Sequence, residues 1–259
     1  MIYQTGSSPE IEALFDGWED TMIYSCLQGV MGQIYTDSLT RPEAAMAILG
    51  DFCFFAGRPE RELVLSVFEV CGRDFMILTP RTGEWEKLIE ECYGECAERV
   101  VRYAIKKEPE VFDAVRLRRL AAALPDGYAM RRMDEELFLQ CRQLAWCRDW
   151  VSQYPDYAAY RRHGLGVVIL KGDEPVSGAS SYSGYNGGIE IEIDTREDHR
   201  RRGLACACGA ELILECLERG LYPSWDAQNR WSVALAEKLG YHFDREYTAY
   251  EVRAEHKEG

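Results

Sequence analysis

The segment from Ile189 to Ala205 holds the residues whose types and spacing point to chemistry. Glu190, Glu192 and Asp194 alternate there with Ile189, Ile191 and Ile193. Alternate side chains of a strand share a face, so three carboxylates line one side and three isoleucines the other. Like charges this close raise at least one carboxyl pKa, which suits a proton acceptor. The plainer alternative is the solvated face of a half-buried strand. Arg196, His199, Arg200, Arg201 and Arg202 follow, and then Gly203, Leu204 and Ala205 open a helical run. The whole chain carries a formal charge of -14, so a positive cluster at a helix start stands apart from its surroundings. First-turn N–H groups lack helical acceptors, and the helix dipole favours negative charge there. A glycine at the turn lets the backbone approach a ligand closely. These features predict a phosphate or pyrophosphate site, against the alternative of a solvated basic turn paired with Glu197 and Asp198.

Regular elements must hold these residues. Leu204–Arg219 reads as a helix, with Leu204, Cys208, Leu212 and Cys216 at i, i+4 spacing and Gly220 as its stop. Leu221–Trp225 reads as a short strand, Asp226–Arg230 as a turn, Trp231–Leu239 as a helix closed by Gly240, and Tyr241–Phe243 as the start of a last strand. Upstream, Tyr128–Met133, Gly166–Lys171 and Val176–Ser183 read as strands, Asp134–Tyr154 as a helix, and Tyr157–His163 as a short helix or loop. Closer to the start, residues 9–32 read as helix, Asp51–Phe55, Glu62–Val70, Asp74–Thr79 and Ala97–Lys106 as strands, and Gly83–Cys92 as helix. Asp113 caps a further helix to Ala123, and Leu124–Gly127 is a turn.

Arg200-Arg201-Arg202-Gly203-Leu204-Ala205 resembles the phosphate-loop signature of the Gcn5-related N-acetyltransferase (GNAT) superfamily, and it stands between a strand and a long helix as that signature requires. Asn229-x-x-Ser232 followed by Leu235–Tyr241 resembles the family's second block, in the right order and spacing. Together with Glu190–Thr195 and Trp225–Asn229, these blocks resemble the zwittermicin A resistance-type acetyltransferases within the superfamily. The resemblance implies an α/β fold with a mixed sheet, acetyl-CoA as donor, no metal, and an amine acceptor such as a small-molecule antibiotic. It implies pyrophosphate contacts from Arg200, Arg201, Arg202, Gly203, Leu204 and Ala205. It implies pantetheine contacts from Ile193, Asp194 and Thr195, and cofactor contacts from Asn229 and Ser232. Glu192 or Glu190 would be the base, with Glu192 slightly favoured. Asn229 also reads as an N-cap and Ser232 as an ordinary first-turn serine. Many family members carry a tyrosine acid four residues before the glycine of the second block; here that position is Ala236. The departure leaves Ser232, Tyr241 or water as substitutes. It also keeps two other readings open, a non-catalytic acyl-CoA-binding module and an acyltransferase for longer chains. Trp146, Trp150 and Tyr157–Tyr160 would line an acceptor pocket or, more simply, belong to the core.

A chain of 259 residues favours two domains. They are placed at 1–124, a smaller N-terminal α/β domain without a phosphate-loop pattern, and 125–259, the acetyltransferase domain. No apolar run nears the ~20 residues of a membrane span. The start, Met1–Gly6, has no basic and apolar leader pattern. Ten cysteines lie largely in apolar runs, as small hydrophobes in a reducing cytoplasm would. Cys92-x3-Cys96 lacks a second ligand pair for zinc. Cys206 and Cys208, inside the packing helix, are poor nucleophile candidates. The acidic balance argues against nucleic acid. The expected protein is a monomer or homodimer acting on a small molecule, with neither membrane nor nucleic acid as partner. His163, His242 and His256 have no catalytic context.

Overall fold

The computed structural model describes residues 1–254; His256 lies outside them. The chain forms two compact units, one of residues 1–102 with the final stretch from Glu246, the other of Tyr103–Arg245. The Leu124–Gly127 turn, chosen above as the division, falls inside the second unit, because the helix before it packs along that unit's longest helix.

In the first unit the order is β1 (Tyr3–Thr5), α1 (Pro9–Phe15), α2 (Thr21–Leu27), β2 (Gln33–Thr36), β3 (Ala44–Leu49), β4 (Phe52–Gly57), α3 (Arg61–Cys71), β5 (Phe75–Pro80), α4 (Gly83–Tyr93) and β6 (Ala97–Ile105), whose end enters the second unit. β1 to β4 are antiparallel neighbours, and β4 and β5 run parallel. The expected helix over 9–32 is two helices, capped separately by Ser8 and Asp20 and parted at Gly17 by left-handed backbone. Glu62–Val70, expected as a strand from its β-branched residues, is the helix α3. Leu63, Val64 and Val67 bury one helical face there, and that packing overrides local propensity. Trp85 of α4 stacks on Phe55 at 4.9 Å and donates its indole N–H to the Gly57 carbonyl.

The second unit continues with α5 (Ala114–Ala121), β7 (Ala129–Arg132), α6 (Glu135–Gln143), α7 (Tyr157–His163), β8 (Gly166–Lys171), β9 (Glu174–Tyr185), β10 (Gly188–Thr195), α8 (Leu204–Glu218), β11 (Tyr222–Ser224), β12 (Asp226–Ala227), α9 (Arg230–Leu239) and β13 (Phe243–Arg253). Its sheet runs β11-β10-β9-β8-β7. β10 is antiparallel to β9 and parallel to β11. From β1 to α4 and from β7 to α9 the order of elements is nearly the same: strand, two helices, three antiparallel strands, helix, parallel strand, helix. The 12-residue β9 and 8-residue β10 bury Ile189 and Ile191 against α8, as the alternation predicted. Gly209 of α8 brings the helix close to its neighbours: a Cβ there would lie 2.7 Å from Leu239 and 3.3 Å from Ile193. All ten cysteines are free, and burial pushes the thiols of Cys208 and Cys216 up to about 12.

The expected helix over 134–154 stops at Gln143, and a 3-10 turn at Arg148–Trp150 follows. Trp150 is fully buried across Gly178 of β9, with Tyr154 and Tyr160 beside it, so these aromatics belong to the core. A Cβ on Gly178 would lie 2.6 Å from the Trp150 ring. Gly178→Ala should therefore lower stability by about 1–3 kcal/mol, the usual cost of overpacking. Urea midpoints at unchanged slope would measure it.

Candidate active site

β11 pairs with β10 at only three positions, Gly188↔Tyr222, Ile189↔Pro223 and Glu190↔Ser224. The chain then turns away at Trp225, and Asp226–Ala227 pair instead with Ala104 and Tyr103. β10 runs on to Thr195, held by β9 alone among the described residues. Burial follows the parting: Gly188–Ile191 are buried, and Glu192, Ile193, Asp194 and Thr195 are half-exposed. Trp225 secures the turn. It is buried, lies edge-on to Tyr241 at 5.5 Å, and donates its indole N–H to Ser232 Oγ at 3.0 Å.

The acids divide along this strand. Glu190 is 5 % exposed and sits in the last paired row. Asp194 is pushed up to about 6, chiefly by burial and further by Asp149, while a hydrogen bond with Glu192 and the Arg200 charge oppose the rise. Glu192 and Asp194 thus share a hydrogen bond, and the Asp194 carboxyl is the one whose pKa is raised.

The basic loop departs from an ordinary turn. Arg201 has φ +62, and no other non-glycine residue among those described has a positive φ. Gly203, with φ +81, is the N-cap of the 15-residue α8. It has no capping side chain, so the first-turn N–H groups of α8 are left for another acceptor. The space above Gly203 is open, since an added Cβ would meet nothing within 4 Å. Arg196 carries the local ion pairs, to Asp198 and Glu174. Arg200 and Arg202 donate only to the Thr195 and Asp198 carbonyls, and Arg201 has no hydrogen bond or ion pair among the described residues. None of the three guanidinium groups has an ion pair among the described residues, although the Arg200 charge reaches Asp194. Leu204 is buried and Ala205 half-buried at the helix start, where their backbone N–H groups serve.

His199, a member of the basic cluster, is buried. Arg196 Nη2 lies 3.0 Å from its Nε2 and Tyr128 Oη 2.8 Å from its Nδ1. An arginine can only donate, so Nε2 accepts and Nδ1–H donates to Tyr128. This clamp sets the loop's exit from β10. The sequence offered little sign of it, because Tyr128 and His199 are 71 residues apart.

Other expected site residues have structural partners. Asn229 caps α9 by accepting from Ser232 N at 3.0 Å. The Asp194 carbonyl accepts from Ser177 Oγ. Tyr241 donates its hydroxyl to the Pro223 carbonyl at 2.7 Å, and burial pushes it well above the phenol range, which removes it as an acid. Ala236 is fully buried.

The GNAT acetyltransferase family description matches residues 12–250, covering both units. The chain belongs to the GNAT acetyltransferase family. It resembles the crystal structure of a GCN5-related N-acetyltransferase-like protein from Streptococcus suis, at 47% identity and TM-score 0.89 over 94% of this chain and 97% of that one. It is 27% identical over 254 residues to the Bacillus subtilis uncharacterized N-acetyltransferase YdfB, covering 93% of this chain and 94% of that protein. A tandem GNAT protein from the clavulanic acid biosynthesis pathway shares the fold alone, at 11% identity and TM-score 0.54 over 98% of both chains. The chain is thus an acyltransferase of this family, whose members in general use acetyl-CoA.

The first unit lacks the corresponding features. β4 stays in register with β5 from Phe52↔Ile77 to Phe55↔Pro80, and α3 is capped by Glu60, which accepts from Glu62 N. A carboxylate of the chain fills that helix start.

Asp194 is the group to test by pH. Its carboxyl ionises near 3.8 when unfolded and near 6 when folded, so its contribution to stability falls as pH rises between those values. Asp194→Asn should melt at a higher temperature than the parent above about pH 6, with the gap closing toward pH 3.8. A gap independent of pH would refute the shift.

Proposed function

We propose that the protein transfers an acetyl group from acetyl-CoA to an amine of a small molecule, with the site in the second unit. The observation that carries the reading is the parting of β10 from β11 beside an uncapped, arginine-flanked helix start, with carboxylates on the same strand. The residues fit the donor. The N–H groups of Gly203, Leu204 and Ala205 supply directed donors for a pyrophosphate, and Arg200, Arg201 and Arg202 add charge that is not tied up in ion pairs. The half-exposed backbone of Ile193, Asp194 and Thr195 lies where a pantetheine arm would pair. Asn229 and Ser232 shape the facing helix start, and their side chains keep their present bonds. When bound, acetyl-CoA supplies an activated acyl thioester.

An ammonium must lose a proton before its nitrogen can attack. Glu192 takes it, hydrogen-bonded to Asp194, whose own carboxyl is pushed up to about 6. Glu190 lies one step along the same face. With alanine at 236 and Tyr241 tied to a carbonyl, the leaving sulfur draws its proton from the carboxyl pair or from water. The sequence resemblance to zwittermicin A resistance-type enzymes favours an amine-bearing antibiotic as the acceptor.

Titration calorimetry with acetyl-CoA tests the donor site. The parent should bind one equivalent per chain, because the first unit's counterpart of α8, the helix α3, has its start filled by Glu60. Gly203→Glu should fold, at a cost of about 1–2 kcal/mol for a side chain in left-handed backbone, and lose binding. A well-folded parent that binds no acetyl-CoA would sink the reading. Arg201→Gly gives the opposite signature. It should melt no lower than the parent, since it relieves a strained φ, yet bind acetyl-CoA more weakly. With an accepted amine, Glu192→Gln should lower turnover about 10²-fold or more, as loss of a general base does.

A further inference from the structure

Glu190 is opposed in register by Ser183 on β9 and by Ser224 on β11. Opposed residues project from the same sheet face with Cβ atoms roughly 5 Å apart. The three side chains therefore form one row across the sheet, and the row is buried: Ser183 and Ser224 are each 1 % exposed. Neither serine hydroxyl has a hydrogen-bond partner among the described residues. The other serines of β9 differ. Ser177 bonds the Asp194 carbonyl and Thr195, Ser180 bonds the Trp150 carbonyl and Tyr160, and Ser181 bonds Leu165 N and Tyr154. Along β9 and β11 the orphaned hydroxyls are thus the two that flank a buried carboxylate.

A buried hydroxyl without a partner is unfavourable, and alanine would fill the same space without that penalty. Such a group calls for an explanation, and ordered water is a common one. A water needs two or more polar partners, and on each side of Glu190 a serine oxygen and the carboxylate provide them. The row is also the last one before β11 departs. The next residue on the same face of β10 is Glu192, half-exposed and paired with Asp194. The row thus joins the buried side of the sheet to the open end of the strand.

We infer that Ser183 and Ser224 are positioning residues that hold water on either side of Glu190, making this row the path by which a proton leaves the acceptor amine. The inference rests on the acetyl-transfer reading. An ammonium gives up two protons in becoming an amide. The first passes to Glu192 and on through water to the Glu190 carboxylate, freeing the nitrogen lone pair. The N–C bond forms, the C–S bond breaks, and sulfur leaves with the electron pair. One proton returns to sulfur, and the other goes through the row to solvent.

The first test is a crystal structure of the full chain at about 1.2 Å, where waters and hydroxyl partners can be assigned. An ordered water should lie about 2.7–3.0 Å from each serine Oγ and bridge to Glu190, and Ser183→Ala and Ser224→Ala should each lose the water on their side. The second test is CoA-thiol release from acetyl-CoA with putrescine, glucosamine or L-lysine, or with water if none is accepted. The double alanine variant should lower kcat about tenfold and move the pH profile, with KM for acetyl-CoA unchanged, and Ser→Thr at both positions should restore the profile. A dry row with both hydroxyls turned to backbone carbonyls would overturn the inference, as would an unchanged kcat and pH profile in the double alanine variant. Calorimetry on the Gly203→Glu pair reads the parent proposal separately. Lost acetyl-CoA binding there with a dry row rejects the relay and leaves the donor site standing.

Discussion

The second unit is organised by where two parallel strands stop pairing. β11 contributes three residues and is then drawn off by Trp225, whose indole is fixed to Ser232 and packed on Tyr241. Pro223 inside β11 has no N–H to extend the ladder. Everything chemical in the unit depends on the edge this creates. β10 goes on for five residues without β11, its acids pass from buried to half-exposed, and its end delivers the basic loop to the head of α8. If β11 followed β10 to Thr195, the loop would still be basic, but the strand beside it would be closed.

The loop shows how a local cost is tolerated for a site. An arginine in left-handed backbone and a helix without a capping side chain are each unfavourable. The surroundings hold them in place. α8 is anchored by a face of small and apolar residues against the sheet and α9, and the Arg196–His199–Tyr128 clamp fixes the approach. The first unit, built on nearly the same order of elements, avoids both costs at the corresponding helix start. Its equivalent helix has a glutamate cap, and β4 and β5 stay in register. Two units of one topology therefore differ in chemistry through a few residues at one helix start and one strand end.

Carboxylates on one strand face need not behave alike. Glu190, Glu192 and Asp194 share a face, yet strand pairing gives each a different environment. Glu190 lies between two serines in a closed row, while Glu192 and Asp194 share a hydrogen bond where the sheet opens. The rise in the Asp194 pKa comes mainly from burial, not from its neighbours' charge. Repulsion along the strand, the effect expected from the sequence, is not among its causes: Glu192 lowers the Asp194 pKa through a hydrogen bond, and the charge that adds to the rise belongs to Asp149.

Sequence alone determined what is local or periodic. The alternation of Ile189–Asp194 set the two faces of β10. The spacing of Leu204, Cys208, Leu212 and Cys216 set α8, and Arg200–Ala205 carried the resemblance to the family. These signals survive because each lies within one element or one turn. Sequence failed where a distant partner decides. Residues 62–70 are β-branched enough for a strand but become helix through burial of Leu63, Val64 and Val67. Trp150 reads as core or, less simply, as pocket lining until Gly178 lies against it. His199 looks exposed until Tyr128, 71 residues away, covers it. The serine row, the hydrogen bond between Glu192 and Asp194, and the end of β11 at Ser224 belong to the same class. Each depends on which strand lies beside which and in what register, and that is set by the packing of the whole sheet.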